Sequence, residues 1–590
     1  MTRGTSKAAV ASYATSTHPT SNSTKGQVLC LVNGLRDDIL AKIFAYVRFD
    51  SEWDDSWYQV LLHVCQRWTA VARAAPILWT TLTIREEPKI ELISMSLQLS
   101  GTLPLDVSLI QTKELSAALA LISPHAPRLR HLSVTEVRAT RDQALAAFLN
   151  QPMPNLQELE LQFIPKTEPL PYFELEDARP PEDLDPFLWN PEINQCPHLR
   201  SLSLGRGVEI VGQLPVYYAL RKLELHDRRS HTPFTTVTFV EFLSQHPHLE
   251  ELSLRQYRPA IVPVPTPLSL PQTVRKFSLE DNAHYVKPFL SSFYIAPTVD
   301  LHLTRALDFM DHGDIAMDDF NNEAAHTVTQ LLPDDRTLLP LLALVDRVTL
   351  SREFESRYAL TARAPGPGGA VVELVGRVHD GAEAELREGL HVLEDVTSVF
   401  AAAPLVEIRV EGHGSSVLEK RHWARALRTF ARLERVAVVD TAANTRWDAR
   451  ATLLEALRMG EQPPKKDKNK SKNKNKGEPG AALTVAADGP PPPPALAPQL
   501  RSLSFVSSEW DREDESFSKE LERCLQSRKS RGCQLEVLHL VLQYAWPMWK
   551  EGNNEKENRR RMEMYVTRLR HLVGHLHIEF SNFADPAGWD

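Results

Sequence analysis

One short pattern returns along most of this chain: apolar, two arbitrary residues, apolar, one arbitrary residue, apolar. It reads Trp79/Leu82/Ile84, Leu129/Leu132/Val134, Leu156/Leu159/Leu161, Leu199/Leu202/Leu204, Leu220/Leu223/Leu225 and Leu249/Leu252/Leu254, then weakens at Val274/Phe277/Leu279. It resumes as Val345/Val348/Leu350, Leu405/Ile408/Val410, Leu433/Val436/Val438, Leu500/Leu503/Phe505, Leu535/Leu538/Leu540 and Val573/Leu576/Ile578. The last two apolar positions flank a polar one, the two-residue period of a strand with one buried face. Several copies follow a proline-bearing turn, as in HAPRLRHLSV, PMPNLQELEL, CPHLRSLSL and HPHLEELSL, and helical pieces at residues 144–149 and 239–243 precede such turns. A unit of strand, turn and helix cannot bury its apolar side alone. The units must therefore stack on one another, and the expected fold is α/β.

The middle copies recur at roughly 20 to 30 residues, the period of leucine-rich repeats. The chain resembles degenerate members of that class, since the asparagine that normally follows the strand is not regularly present. The resemblance implies a curved solenoid over residues 79–461, resuming over 498–590. Its concave strand face would then carry the side chains set between the repeat leucines. The candidates for substrate contact are Arg130, Gln157, Glu160, Arg200, Lys222, Glu224, Glu250 and Lys276, with Ser133, Ser203, Ser253 and Ser278 beside them. That set is mixed in charge and suits a polar protein ligand.

Ahead of the repeats, Leu35, Ile39, Leu40, Ile43, Phe44 and Val47 fall at three-to-four-residue intervals on one helix face, with Asp37 and Asp38 in the first turn. A second helix is expected through Trp57, Val60, Leu61, Val64, Cys65, Trp68, Val71 and Ala72, ended or renewed at Pro76. A longer, acidic loop over residues 48–56 separates the two. About fifty residues make only a small core, so these faces are expected to pack on something else.

These residues resemble an F-box. Leu35, Asp38, Ile39, Leu40, Ile43 and Phe44 match its opening, Val64, Cys65, Gln66, Arg67 and Trp68 its middle motif, and Pro76, Leu78 and Trp79 its closing turn. Arg36 stands where the family prefers proline, a mild loss because proline is favoured but not required at a helix start. The resemblance assigns residues 29–78 to an F-box-like helical domain. It implies docking onto the small Skp-type adaptor of a cullin-RING (SCF-type) ubiquitin ligase through Leu35, Ile39, Leu40, Ile43, Phe44, Val64 and Trp68. The protein would be a substrate-recruiting adaptor, not an enzyme. An alternative stays open: a scaffold in which the helices only cap a repeat array and no ligase assembles.

The remaining segments read from composition. Residues 1–28, rich in Ser, Thr, Ala and Lys, are expected to be a disordered tail. Residues 164–190 form an acidic, proline-rich insertion expected as a surface loop, and residues 308–335 another polar connection. Residues 351–377, turning at Pro365-Gly366-Pro367-Gly368-Gly369, predict a β-hairpin. Residues 462–497, lysine- and asparagine-rich and then proline-rich, predict a disordered excursion, and residues 553–569 a charged helix.

The net charge of -9 argues against a general nucleic-acid binder. Five cysteines without paired or metal-like spacing, and no apolar run of spanning length, fit a reducing compartment, cytoplasmic or nuclear, with no membrane partner. No nucleophile elbow, zinc-protease, phosphate-loop or dinucleotide motif is present. His571, His575 and His577 lack ligands of supporting spacing and read as partly exposed strand residues. No catalytic residue, metal or cofactor is expected.

Overall fold

Each copy of the repeat pattern falls on a strand in the computed structural model, and these strands pair side by side. The structure describes residues 34–50, 57–86, 89–137, 143–163, 187–189, 195–205, 207–210, 215–226, 234–306, 327–354, 357–377, 392–412, 418–440, 449–458, 496–507, 514–543 and 554–581. The N-terminal tail, most of the acidic insertion and nearly all of the 462–497 excursion lie outside these residues. The chain groups into two units, Met1–Thr80 with Met95–Leu103, and Thr81–Ser94 with Pro104–Asp590.

In the first unit, α1 (Asp37–Asp50), α2 (Trp57–Val64) and α3 (Gln66–Ala74) precede a 3-10 turn, Pro76–Trp79. The sequence predicts one helix where α2 and α3 stand. The backbone instead breaks at Cys65, which is fully extended at φ −163 and ψ 166. Helix α1 also runs to Asp50, three residues into the expected acidic loop. Leu40, Phe44, Leu61, Val71, Ala72, Leu78 and Trp79 are the buried apolar residues of this stretch. The indole N–H of Trp79 donates to the Ala72 carbonyl at 2.8 Å, so the closing turn folds back on α3 without leaving a polar group unpaired.

In the second unit, β1 (Thr81–Arg85), β2 (Leu105–Ile110), β3 (Leu129–Val137) and β4 (Glu158–Phe163) begin the sheet, and β5 (Phe187–Trp189) stands apart from it. It continues through β6 (Ser201–Leu204), past β7 (Val208–Ile210), to β8 (Lys222–His226) and β9 (Glu251–Arg255), past β10 (Leu268–Ser269), to β11 (Lys276–Asp281), then past β12 (Phe293–Tyr294) to β13 (Asp300–Arg305). All these sheet neighbours run parallel. Their register aligns one apolar row, Leu82, Val107, Leu132, Leu159, Leu202, Leu223, Leu252, Phe277 and Leu301. A second row two residues on runs from Ile84 to Leu303, and both rows are buried. Each such side chain contributes about 1.5–3 kcal/mol by leaving water. A one-residue slip would turn both rows outward, so the register is tightly specified.

After β13 the order reverses once. The chain passes to β14 (Arg347–Phe354), β15 (Arg357–Arg363) and β16 (Val371–Arg377), an antiparallel meander. Its last strand, β16, pairs parallel with β13, and its first, β14, pairs parallel with β17 (Glu407–Gly412). The predicted hairpin is therefore present as part of a three-stranded meander. Its turn places Gly366 at φ 104 and Gly368 at φ 73, a conformation that glycine adopts without a Cβ penalty. The parallel run then resumes through β18 (Arg435–Asp440), β19 (Ser502–Ser507), β20 (Val537–Gln543) and β21 (His575–Ser581). Among the described residues the sheet has 17 strands.

Helices alternate with these strands among the described residues: α4 (Ile90–Leu99), α5 (Leu115–Ile122), α6 (Gln143–Leu149), α7 (Thr236–Ser244), α8 (Ala283–Ser291), α9 (Val392–Val399), α10 (Lys420–Thr429), α11 (Ala449–Arg458), α12 (Asp514–Ser530) and α13 (Asn554–Leu569). Residue-level starts are legible. Thr235 caps α7 by accepting from Thr238 N, and Asn282 caps α8 by accepting from Tyr285 N at 2.9 Å. Two expectations are corrected. The acidic insertion ends in a strand, β5, paired with β7, because Phe187 and Trp189 bury their side chains. The polar connection at 308–335 ends in a 3-10 turn, Val328–Leu331, whose Val328 and Leu331 are buried.

Candidate functional site

Two surfaces collect the predicted site residues, one in each unit. On the helical unit, the start of α1 is tied down by Arg67 of α3. Its guanidinium donates to Asp37 Oδ1 from Nη2 at 2.7 Å and from Nε at 3.1 Å, and also to the Leu35 carbonyl. Arg36, in the position where proline is expected, turns outward to an ion pair with Asp38 at 3.0 Å. Leu40 and Phe44 point inward and are fully buried, and the Phe44 ring lies 4.9 Å from that of Trp68.

The adjoining edge of the same α1 face leaves its apolar residues in water. Ile39 is 41% exposed, Ile43 38%, Val47 39% and Tyr46 74%, with Val64 of α2 52% exposed. Ile39, Ile43 and Val47 stand at i, i+4 and i+8 and form one stripe. The seven predicted docking residues thus divide by burial. Ile39, Ile43 and Val64 are surface, Leu40 and Phe44 are core, and Leu35 and Trp68 are half-buried. Tyr46 lies outside the motif residues, although its i+7 spacing from Ile39 puts it on the same stripe.

On the repeat unit, the eight predicted contact residues fall into rows set by register. Glu160 and Glu224 share one row with Ser133, Ser203, Ser253 and Ser278. Lys222 and Lys276 lie one row earlier on the same strand side, level with Glu158, Ser201 and Glu251. Gln157, Arg200 and Glu250 instead immediately precede their strands, and Arg130, the second residue of β3, is level with them. They form a row linked through the main chain: the Gln157 carbonyl accepts from Arg200 N at 2.7 Å, the Arg200 carbonyl from Arg221 N at 2.7 Å, and the Arg221 carbonyl from Glu250 N at 2.7 Å. Arg221 belongs to this row and was missed. The residue immediately after the first repeat leucine marks it in every copy, including Leu220.

Much of the charge on these rows is matched internally. Arg130 pairs with Asp106, which holds its guanidinium above its ordinary range. Lys222 Nζ lies 2.8 Å from Glu224 Oε1. Burial pushes the Glu224 carboxyl up, but the hydrogen bond and charge of Lys222, helped by His226, hold it below the usual carboxylate range. Burial keeps the His226 imidazole below its ordinary value. Ser133 donates to Glu160 at 2.8 Å.

Among the described residues no group of three or more His, Cys, Asp or Glu is arranged to hold a metal ion, and no helix is long and apolar enough to cross a membrane. His575 and His577 lie on β21, and His577 approaches His539 edge-on with ring centroids 6.2 Å apart. Cys196 is buried, which pushes its thiol up to about 12. No protein-family model matches this chain, and no curated protein matches it significantly.

Proposed function

We propose that the chain is the substrate-recruiting subunit of an SCF-type ubiquitin ligase. Its helical unit docks the Skp-type adaptor and through it the cullin, and its repeats, stacked as a curved solenoid, hold a protein substrate. The observation that carries this reading is the apolar stripe Ile39, Ile43 and Val47, with Tyr46 and Val64, left in water on a small helical unit. Exposed apolar patches of this kind mark protein interfaces. Four of the seven docking residues implied by the F-box resemblance, Ile39, Leu40, Ile43 and Phe44, lie on this same helix. In such a complex the adaptor does no chemistry. It raises the effective concentration of a substrate lysine near the ubiquitin-carrying enzyme.

The test separates surface from core. The intact chain is co-expressed with the Skp-type adaptor and cullin and purified, beside Ile39→Asp/Ile43→Asp and beside Leu40→Ala. The double aspartate variant is expected to keep its circular dichroism and lose adaptor at least about tenfold, the loss typical of interface hot spots. Leu40→Ala is expected to lose adaptor by unfolding the helical unit, since its side chain is fully buried. A folded wild type that retains no adaptor, or a double variant that retains it undiminished, rejects the proposal and leaves a repeat scaffold.

A further inference from the structure

We infer that the strand-start row of the repeat unit carries a binding site for an oxyanion borne on a polypeptide: a phosphorylated or carboxylate side chain of the bound protein. This deepens the proposed function by giving the repeats a recognition chemistry, and it rests on that reading only for the ligand being a polypeptide.

The site is a cavity of about 330 Å³ lined by Pro197, Arg200, Tyr218, Ala219, Arg221 and His248. Three consecutive repeat turns build it. Each turn sets a buried leucine, Leu199, Leu220 or Leu249, just before the row residue Arg200, Arg221 or Glu250. The residue before that leucine is His198, Ala219 and His248 in turn. The cavity opens at the one small side chain in this series, flanked by two histidines.

Two arginines line it from adjacent positions. Arg221 N donates to the Arg200 carbonyl at 2.7 Å, so the two residues are main-chain neighbours across one strand spacing. Among the described residues the Arg200 side chain has no hydrogen-bond or ion partner. Among the described residues Arg221 reaches only Glu250, at 3.5 Å, with both side chains well exposed. Pairs of that kind contribute little, so an incoming oxyanion can take the place of Glu250.

Tyr218 is 70% exposed on the wall and offers an aromatic face and a hydroxyl. His248 adds a ring nitrogen. Paired arginines with a planar fork of donors are the side chains best matched to carboxylate and phosphate oxygens. Two other cations nearby are already matched, Arg130 further along the same row by Asp106 and Lys222 of the next row by Glu224.

The experiment uses the intact chain and three labelled degenerate peptide pools, identical except for a central phosphoserine, glutamate or serine, with binding read by fluorescence anisotropy. The charged pools are expected to bind at least about tenfold tighter than the serine pool, in line with two charge-assisted contacts. That preference is expected to vanish in Arg200→Ala/Arg221→Ala and in Ala219→Phe, which fills the cavity. It is expected to persist in Arg275→Ala, a row residue outside the cavity.

Phosphoserine well above glutamate assigns a phosphoryl ligand, and parity assigns a carboxylate. Equal binding of the three pools, a preference unchanged in the double variant, or inorganic phosphate displacing the phosphoserine pool at that pool's own affinity overturns the inference. No adaptor is present in this measurement, so its failure leaves the docking result standing, and failure of docking leaves this one readable.

Discussion

At the scale of the residue, burial decides what a side chain is for. Ile39 and Leu40 are adjacent and chemically alike, yet one faces water and the other the core. The same contrast separates the arginines. Arg258 of the repeat unit clamps Asp281, whose carboxylate is fully buried, with Nη2–Oδ1 at 2.8 Å and Nε on both oxygens. Removing one partner of a buried pair strands the other charge. Arg258→Ala is therefore expected to cost about 3–5 kcal/mol, whereas Arg275→Ala, on the exposed row, stays within about 0.5 kcal/mol. Urea denaturation of both variants checks the contrast, and equal midpoints would sink it. Residue roles were only partly legible in the sequence. The motif named Leu40 and Ile39 together because spacing reports a helix face to within one position, and only packing shows where the edge of that face falls. Arg221 was hidden for a similar reason: an unbroken Leu-Arg-Lys-Leu gives two candidates for one outward position, and the main-chain row selects the first.

At the scale of the element, the strands whose leading apolar residue sits three positions ahead were legible, and those without it were not. β2, β13 and β16 carry Pro104, Thr298 and Gly369 where that residue would stand. β16 is still legible as the second strand of the hairpin that the Pro-Gly turn predicts, whereas β2 and β13 show only through their partners in the sheet. Helix α9 shows a different hidden feature. Asp395, in its first turn, is 2% exposed and accepts from Val328 N at 3.3 Å and from the Tyr358 hydroxyl at 3.2 Å. One carboxylate thus joins a helix, the 3-10 turn at Val328–Leu331 and β15. Burial pushes the carboxyl up to about 7, opposed by those two donors and aided by the charge of Glu394. Burial and the Asp395 charge hold the Tyr358 phenol well above its usual value, with the nearby charge of Arg305 opposing. The folded carboxyl binds its proton more tightly than the unfolded one does. Its contribution to stability is therefore complete below about pH 4, near the free aspartate value, and is lost as pH rises through about 7. Asp395→Asn keeps an acceptor and removes the titration. Between pH 5 and 8 the wild type is expected to lose stability relative to the variant, by at most on the order of 4 kcal/mol. Parallel pH–stability curves for the two would show that the carboxylate is ionised at no cost.

At the scale of the whole molecule, the sheet is two parallel runs joined through one antiparallel strand. The sheet strands from β1 to β13 with β16 form one run, β14 with β17 to β21 the other, and among the described strands β15 alone is hydrogen-bonded to both. Arrays of this kind hold together through nearest-neighbour terms, so cooperativity across the sheet is as strong as its weakest junction. Leu360 is the fully buried centre of that junction, level with Leu350 on one side and Leu374 on the other. Leu360→Ser removes apolar volume and buries a hydroxyl, at a cost of about 2–5 kcal/mol. The loss is confined to the strand that couples the runs. Scanning calorimetry of this variant is expected to resolve unfolding into two transitions. Leu303→Ser, on the same apolar row but inside the first run, is expected to lower a midpoint without such a split. If Leu360→Ser unfolds in one transition indistinguishable in shape from Leu303→Ser, the runs are coupled by more than β15. The repeats would then act as one cooperative body, and a ligand bound near Arg200 would stabilise the last strand as much as the first.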